Sequence, residues 1–245
     1  MGSIPLKRQG REHKKTAEAA ITKRDIGTMV VGASGFFIGR AVVFGFINPL
    51  ALPFLAAFMG AGRAFYFTAL FTALGMATRM GDWLTLRYLA AVGLLCGYYF
   101  VAGRIAGAHR KGWLTLPFVG VATAGAMLVS GLAFAALYGD GAFLYVVAVL
   151  EAVLAGGLTL VIKRGHVILT GKRRRMLAGE DILAITIILA AVVAGASEIY
   201  VGAMPLRFFF CVYILCLVAF KGGPSFAAAA GMLLGLFLYL AGHWE

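Results

Sequence analysis

Charged residues and proline are both scarce in this chain of 245 residues. Lys, Arg, Asp and Glu make up 13% of it, whereas a soluble globular domain contains about a quarter. Hydrophobic residues make up 62%, which leaves too little polar surface to cover a core in water. Proline occurs 6 times and glycine 33 times, so collagen-like and proline-rich disordered proteins are excluded. The composition indicates a polytopic membrane protein.

Cysteine and histidine are too few and too scattered for a familiar catalytic or metal site. The 3 cysteines lie inside apolar runs and form no C-x-x-C pair, so neither a zinc site nor a disulfide framework is indicated. The 4 histidines occur singly, and no H-E-x-x-H, nucleophile elbow, Walker loop or dinucleotide motif is present. We therefore expect no catalytic residue, metal or cofactor in this chain.

Positive charge dominates the few charged residues and gives a net charge of +12. Seven of the 22 Lys and Arg residues fall within the first 24 positions, and six more lie between Lys163 and Arg175. Basic residues confined to tails and short loops follow the positive-inside pattern, in which they face the cytoplasm and its anionic lipids. Because no RNA-binding signature accompanies them, we expect a lipid partner and no nucleic acid.

Apolar runs predict an all-α bundle of about nine membrane segments after a basic cytoplasmic tail at residues 1–25. The transmembrane domain is expected over residues 26–245, with a basic cytoplasmic loop at 163–176. The segments are Met29–Ile47, Pro49–Ala61, Ala64–Thr78, Leu84–Ala102, Trp113–Leu137, Ala142–Ile162, Asp181–Ile199, Pro205–Phe220 and Gly222–Gly242.

The second and third segments are shorter than the roughly 20 residues that a full crossing needs. They could be tilted spans, broken helices or a re-entrant pair buried by neighbours. With the N-terminus inside, nine crossings place eighteen Lys and Arg residues on the cytoplasmic side and three, Arg79, Arg87 and Arg207, on the other. This asymmetry favours a cytoplasmic N-terminus.

Arg40 and Glu151 are the charges furthest inside the predicted spans. Both lie at a depth of roughly 16–17 Å from the inner side, at about 1.5 Å per residue. We therefore predict a buried ion pair between them, with Glu198 as an alternative partner for Arg40. A packing and registry role is favoured over a polar pathway for a substrate or proton and over a mistaken span boundary.

Glycines at helical spacing predict close contacts between helices, because small residues let backbones approach in lipid. G-x-x-x-G occurs four times, and a Gly-Gly pair opens the last segment. The expected packing positions are Gly35, Gly39, Gly93, Gly97, Gly103, Gly107, Gly222, Gly223, Gly231 and Gly235.

The basic loop has two interpretations. It could be a topology anchor on anionic headgroups, which is favoured, or a docking surface for cytoplasmic domains or a division partner. Its residues are Lys163, Arg164, Lys172, Arg173, Arg174 and Arg175. Glu180 and Asp181, at the next helix start, are expected to complement the helix dipole and to pair locally.

Four motifs, in this order, carry a resemblance to a known family. The sequence resembles the N-terminal membrane domain of the stage II sporulation protein E family of endospore-forming Gram-positive bacteria, over roughly residues 30–242. The motifs are F-I-G-R-A-V-V-F-G-F-I-N-P-L-A-L-P-F-L-A-A-F (Phe37–Phe58), L-E-A-V-L-A-G-G-L-T-L-V-I-K-R-G (Leu150–Gly165), K-R-R-R (Lys172–Arg175) with G-E-D-I-L-A-I (Gly179–Ile185), and G-G-P-S-F-A-A-A-A-G-M-L-L-G-L (Gly222–Leu236).

The resemblance implies a function for the membrane part within a larger protein. The family protein continues into a cytoplasmic region that self-assembles and binds the division protein FtsZ, followed by a manganese-dependent serine/threonine phosphatase of the PPM type. It acts at the asymmetric division septum on an anti-sigma-factor antagonist, which releases the forespore sigma factor. The membrane part is implied to anchor, localise and oligomerise the enzyme in the bacterial cell membrane.

The sequence departs from the family pattern because it stops after the ninth segment. After Asp25 its only aspartates are Asp82, Asp140 and Asp181, so the phosphatase's metal-binding cluster has no counterpart. We expect a non-catalytic chain that is a truncated form, a gene fragment or a stand-alone membrane paralogue. The alternative is a small-molecule transporter or permease subunit, which the proline-interrupted second segment and Arg40 would fit.

Overall fold

The computed structural model confirms an all-α bundle and describes residues 27–43, 46–105, 116–138, 141–170, 179–196 and 199–240. Within these ranges, each predicted segment contains one helix, and a ribbon of two short antiparallel strands precedes the eighth. The elements are α1 (27–40), α2 (Ala51–Ala57), α3 (Arg63–Ala77), α4 (Asp82–Ile105), α5 (Leu116–Tyr138), α6 (Ala142–Thr170), α7 (Gly179–Gly195), β1 (Tyr200–Val201), β2 (Met204–Pro205), α8 (Leu206–Gly222) and α9 (Pro224–Leu240).

Three helices in the described part of the chain are long and apolar enough to cross a bilayer. They are α4, α5 and α6, with apolar stretches at Trp83–Ala102, Pro117–Tyr138 and Ala142–Ile168. α3 and α9 are also apolar but shorter. The chain is therefore a membrane protein, while the count of nine crossings stays a prediction.

The apolar core consists of three clusters that follow one another along the bundle. The first joins α2, α3, α4, α5 and α6, the second joins α1, α2, α6 and α7, and the third joins α7, α8 and α9. α5 and α6 run antiparallel, since Gly120 of α5 lies beside Leu160 of α6 and Gly131 lies beside Ala148. α6 and α7 each contribute to two clusters and so connect the two ends of the chain.

α1 ends at residue 40, well before the predicted end of its segment at Ile47. Beyond it, the backbones of Val43 and Ile47 exchange hydrogen bonds of 2.7 and 3.1 Å. The side-chain amide of Asn48 donates to the carbonyls of Ile38 and Gly39, at 3.2 and 2.8 Å. Asn48 thus satisfies carbonyls that a helix end leaves open, and the valines after Arg40 disfavour a longer helix.

α2 is an interior helix, since all seven of its residues are buried. It contacts α3, α4, α5 and α6 and is too short to cross a bilayer, at about 1.5 Å per residue. Gly27 at the start of α1 and Ala61 after α2 line the same groove. α1 therefore begins, and α2 ends, at the same end of the bundle. This arrangement favours a short α2 enclosed by its neighbours over a tilted span.

α6 extends beyond the predicted end of its segment at Ile162 and continues to Thr170. The predicted start of the basic loop at residue 163 is therefore wrong, because Lys163 and Arg164 are helical. Long basic side chains reach the membrane interface while their stems stay against apolar neighbours, so charge alone does not end a helix. Residues 171–176 of that loop lie outside the described ranges.

Glycines bring α1 into close contact with α3 and α7. A Cβ at Gly35 would lie 2.9 Å from the Thr72 hydroxyl, and one at Gly39 would overlap the Thr72 carbonyl. A Cβ added at Gly75 of α3 would overlap the backbone carbonyl of Phe36 in α1, and one added at Gly195 of α7 would overlap that of Phe37. Because Gly35 also lies beside Thr68 and Gly39 beside Gly75, α1 and α3 run in the same direction.

The other predicted packing glycines differ in whether a neighbouring side chain lies close to them. A Cβ added at Gly222 or Gly231 would meet a side chain within 3.5 Å, from Phe226 and Leu215 respectively, and Gly223 ends α8 with a φ of 85°. Across the residues described, nothing lies within 4 Å of such a Cβ at Gly93, Gly97 or Gly235. Within the described ranges these three glycines contact no neighbouring helix, so their role in helix packing stays a prediction. Gly107 is outside the described ranges, and for Gly103 the helix alone is described.

Candidate functional site

A buried polar cluster surrounds Glu151, which lies about a third of the way along α6. Glu151 is 0% exposed, as are Asn48 and Tyr88, and Arg87 is 8% exposed. The Arg87 Nη2 group donates to Glu151 Oε2, and the Tyr88 hydroxyl donates to Glu151 Oε1. The backbone N–H of Asn48 donates to the same Oε1 at 3.2 Å and to the Tyr88 oxygen at 2.7 Å.

The cluster ties together elements that are far apart in the sequence. Arg87 and Tyr88 are adjacent residues of α4, and Glu151 comes from α6. Asn48 connects the break between α1 and α2 to the cluster. Its Oδ1 also accepts from the backbone N–H of Ala51 at 3.1 Å, at the start of α2. A buried carboxylate is costly unless it is paired and hydrogen-bonded, and here both of its oxygens accept.

α5 leaves space for the Arg87 guanidinium. A Cβ at Gly131 would lie 3.0 Å from Arg87 Nη2, so a larger residue there would press on the ion pair. A cavity of about 190 Å³ adjoins Arg87 and is lined mainly by apolar side chains, among them Phe134 and Val147. Among the described residues, no second acid lies beside Arg87. The ion pair therefore holds α4 and α6 together.

The predicted Arg40–Glu151 ion pair is corrected by the structure, which pairs Glu151 with Arg87. The depth argument assumed that the first helix is straight and continuous to Ile47, whereas α1 ends at residue 40. It also counted Arg87 among the charges of the opposite face, although Arg87 lies inside α4 and is buried. Glu151 is thus a buried acid paired across helices, and its cation is Arg87 instead of Arg40.

Arg40 lies beside the C-terminal end of α3. Its Nη1 group donates to the hydroxyl of Thr78 at 2.8 Å, and its guanidinium lies 5.8 Å from the Phe36 ring centre. Burial and the nearby Arg40 charge lower the pKa of Arg79, which follows α3. The alternative partner of Arg40, Glu198, lies outside the described residues.

Arg164 of α6 forms ion pairs with both acids at the start of α7. Its Nη1 contacts Glu180 at 2.5 Å and its Nε contacts Asp181 at 3.2 Å. The two acids occupy the first turn of α7, where a negative charge also complements the helix dipole. Lys163 is the other described residue of the predicted lipid- or partner-contacting set, because Lys172, Arg173, Arg174 and Arg175 lie outside the described ranges.

The sequence interpretation missed Asn48 and Tyr88, and it counted Arg87, near the start of the segment Leu84–Ala102, among the charges of the outer face. One signal was available for Asn48, since it is the only asparagine of the chain and stands in an apolar run before a proline. Tyr88 carried no such signal, because tyrosine is common at membrane interfaces.

The described ranges contain no group of three His, Cys, Asp or Glu side chains that could hold a metal ion. The residues there consequently do not fit the manganese implied for the family's phosphatase. Nor does the site favour a transporter, because the proline-containing helix α2 is fully enclosed by apolar neighbours.

The sequence matches the family described as SpoIIE, N-terminal domain, over residues 3–244. It is 30% identical over 211 residues to Stage II sporulation protein E of Bacillus subtilis (strain 168), a match that covers 84% of this chain. The chain spans only 25% of that relative's length. No solved structure matches it.

Proposed function

Because this chain belongs to the SpoIIE N-terminal domain family, we propose that it anchors a sporulation protein in the cell membrane and places it at the asymmetric division septum. Family membership and the long apolar helices make it the membrane domain of a sporulation protein. Placement at the septum and self-association are the further parts of the proposal.

The observation that carries the proposal is the extent of the family match. It runs from residue 3 to residue 244, so the whole described bundle falls inside a domain defined by its place at the N-terminus of a longer protein. The polar cluster at Glu151 joins helices, and both oxygens of its carboxylate are engaged by Arg87 and Tyr88. These observations support an anchoring role for the bundle.

The catalytic part of the proposal concerns the portion of the family protein that this chain does not span. We assign to that portion the PPM-type serine/threonine phosphatase, its manganese and its action on an anti-sigma-factor antagonist, together with FtsZ binding. No residue of the bundle is proposed to take part in that chemistry.

Self-association is supported by an open face of α4. Gly93 and Gly97 are exposed and lie one helical turn apart. Small residues at this spacing let helices of two molecules approach closely in lipid. We propose that α4 contacts another copy of the domain at this face.

The septal proposal is tested by fusing residues 1–245 to a fluorescent protein in sporulating cells of an endospore-forming bacterium. The expected result is enrichment of fluorescence at the asymmetric septum relative to the lateral membrane. An unrelated multi-span protein with the same fluorophore serves as the control for membrane crowding at the septum. An even distribution of the fusion around the cell would contradict septal placement.

A charge reversal separates the two interpretations of the basic loop. Arg173, Arg174 and Arg175 are changed to Glu, and both the septal enrichment and the membrane topology of the fusion are measured. If the loop anchors topology, as we propose, the orientation of the protein changes. Loss of septal enrichment with unchanged orientation would instead assign the loop to a division partner.

A further inference from the structure

We propose that this domain holds one anionic phospholipid in a groove at the end of the bundle where α1 begins. The groove has a volume of about 660 Å³ and lies between α1, α2, α6 and α7. This volume is within the roughly 300–1,000 Å³ range of pockets that hold small ligands. One acyl chain occupies the groove, and the phosphate lies at its rim beside His166 and Lys163.

The walls of the groove suit a hydrocarbon chain. Val31 of α1, Phe54 of α2, Ile162 of α6 and Ile188 of α7 line it. Two hydroxyls lie along the α1 wall, that of Thr28 at the rim and that of Ser34 further in, which donates to the carbonyl of Val30 at 2.9 Å. The Ser34 hydroxyl is bound to the backbone of its own helix, so the interior of the groove is apolar.

The rim of the groove lies at the level where a membrane helix meets the headgroups. Gly27 and Thr28 open α1 there, and His166 lies close to Ile168, where the apolar stretch of α6 ends. The His166 ring packs against the Phe58 ring, with centroids 4.2 Å apart. The imidazole therefore stands at the boundary between an apolar wall and the polar rim.

The groove opens toward the surrounding lipid. Val30 lines it and is 61% exposed, and Ala61, which lines the other side, is also exposed. A lipid of the adjoining leaflet could insert its chain between these residues without a change in helix packing.

The charge around the rim selects an anionic headgroup. Lys163 lies next to Ile162 in the sequence and three residues before His166, on a neighbouring face of α6. Basic pockets between membrane helices on the cytoplasmic side bind anionic headgroups in this manner.

Native mass spectrometry of the purified chain in detergent tests the proposal. Phosphatidylglycerol and phosphatidylethanolamine with the same acyl chains are titrated separately, and the number of lipids retained is counted. We expect one phosphatidylglycerol to be retained in preference to phosphatidylethanolamine. Equal affinity for the two lipids would overturn the assignment to an anionic lipid.

Two charge variants show whether the groove or the general surface charge binds the lipid. Lys163→Gln should weaken phosphatidylglycerol binding about fivefold, the effect of one basic residue near a headgroup, and leave phosphatidylethanolamine unaffected. Lys221→Gln removes the same charge at the same end of the bundle, beside a different groove, and should change neither. A loss in Lys221→Gln as large as in Lys163→Gln would overturn the site.

A third variant fills the groove. Ala61→Trp places a large side chain at its exposed mouth and should abolish retention of the lipid, with an unchanged circular dichroism spectrum showing that the bundle is folded. Undiminished retention would show that the lipid lies elsewhere. Removal of residues 2–24 should not raise phosphatidylglycerol binding, whereas a rise would identify the N-terminal tail as the occupant of the groove.

Discussion

At the scale of single residues, the most constrained side chain is Glu151. Its carboxylate accepts from a guanidinium, a phenol and a backbone amide, and none of these groups comes from α6 itself. A charge in a membrane bundle is tolerated when its partners are fixed in this way. The cluster therefore sets how α4, α6 and the break before α2 lie relative to one another.

Replacing Glu151 by Leu should destabilise the bundle strongly, because Arg87 is then left as an unpaired buried charge. Loss of one partner of a buried ion pair costs about 3–5 kcal/mol in free energy of unfolding. Unfolding in mixed detergent micelles by titration with sodium dodecyl sulfate measures this quantity.

Two further variants show whether the loss of stability comes from leaving a buried charge unpaired or from the loss of an ion pair in general. Arg164→Gln breaks an exposed pair, which contributes only about 0–1 kcal/mol, and so serves as the control. Arg87→Met combined with Glu151→Leu removes both charges and should recover much of the lost stability. The account is contradicted if Glu151→Leu is no more destabilising than Arg164→Gln.

Asn48→Ala should also lower stability, because Asn48 bonds the last carbonyls of α1 and the first amides of α2 with one side chain. Leaving a buried polar group without a partner costs about 1–3 kcal/mol. Ser34→Ala removes one local bond within α1 and is the matched control, with little effect expected. Equal melting temperatures for the two variants would show that Asn48 does not hold the break.

Residue-level prediction succeeded for the type of interaction and failed for the partner. The presence of a buried acid at position 151 that needs a cation followed from its place in an apolar run. The identity of that cation did not, because the end of α1 depends on Asn48, a tertiary contact that no apolar pattern records. Arg87 was misplaced because position 87 is near a segment start, where a charged residue is ordinarily at the interface.

At the scale of elements, α1 is held by backbone proximity more than by large side chains. Gly39 and Gly75 face each other across α1 and α3, and Gly195 of α7 abuts the backbone at Phe37. Dispersion and backbone contact drive such helix pairs in lipid, where no hydrophobic force acts between them.

Gly39→Ala should therefore weaken the bundle, since the new methyl group would overlap the carbonyl of Thr72. Overpacking of this kind costs about 1–3 kcal/mol. Gly157→Ala adds the same methyl group where no described neighbour lies within 4 Å and should leave the melting temperature almost unchanged. Thermal melting in detergent compares the two, and a greater loss in Gly157→Ala would refute this account of α1 packing.

Apolar runs predicted the helices well and their ends less well. The segments from the third onward agree with the observed helices to within a few residues except at α6, whose basic end remains helical to Thr170. The G-x-x-x-G pattern found Gly35 and Gly39 but could not distinguish them from Gly93 and Gly97. The pattern records spacing along one helix, whereas a contact depends on what the neighbouring helix offers.

At the scale of the whole molecule, the class followed directly from composition, and the family from the order of four motifs. The three clusters of the core share helices in sequence, so the bundle is continuous from α1 to α9. Orientation in the membrane rests on the asymmetry of basic residues, eighteen against three across the predicted faces. This orientation places the groove proposed for a lipid in the cytoplasmic leaflet.

The most direct test of the account is cysteine accessibility in intact cells. In a background with Cys96, Cys211 and Cys216 replaced by Ala, single cysteines are introduced as Lys14→Cys, Arg174→Cys and Ala203→Cys. A membrane-impermeant maleimide should label Ala203→Cys alone, and the other two only after the membrane is permeabilised. Labelling of Lys14→Cys and Arg174→Cys from opposite faces would contradict the proposed membrane domain.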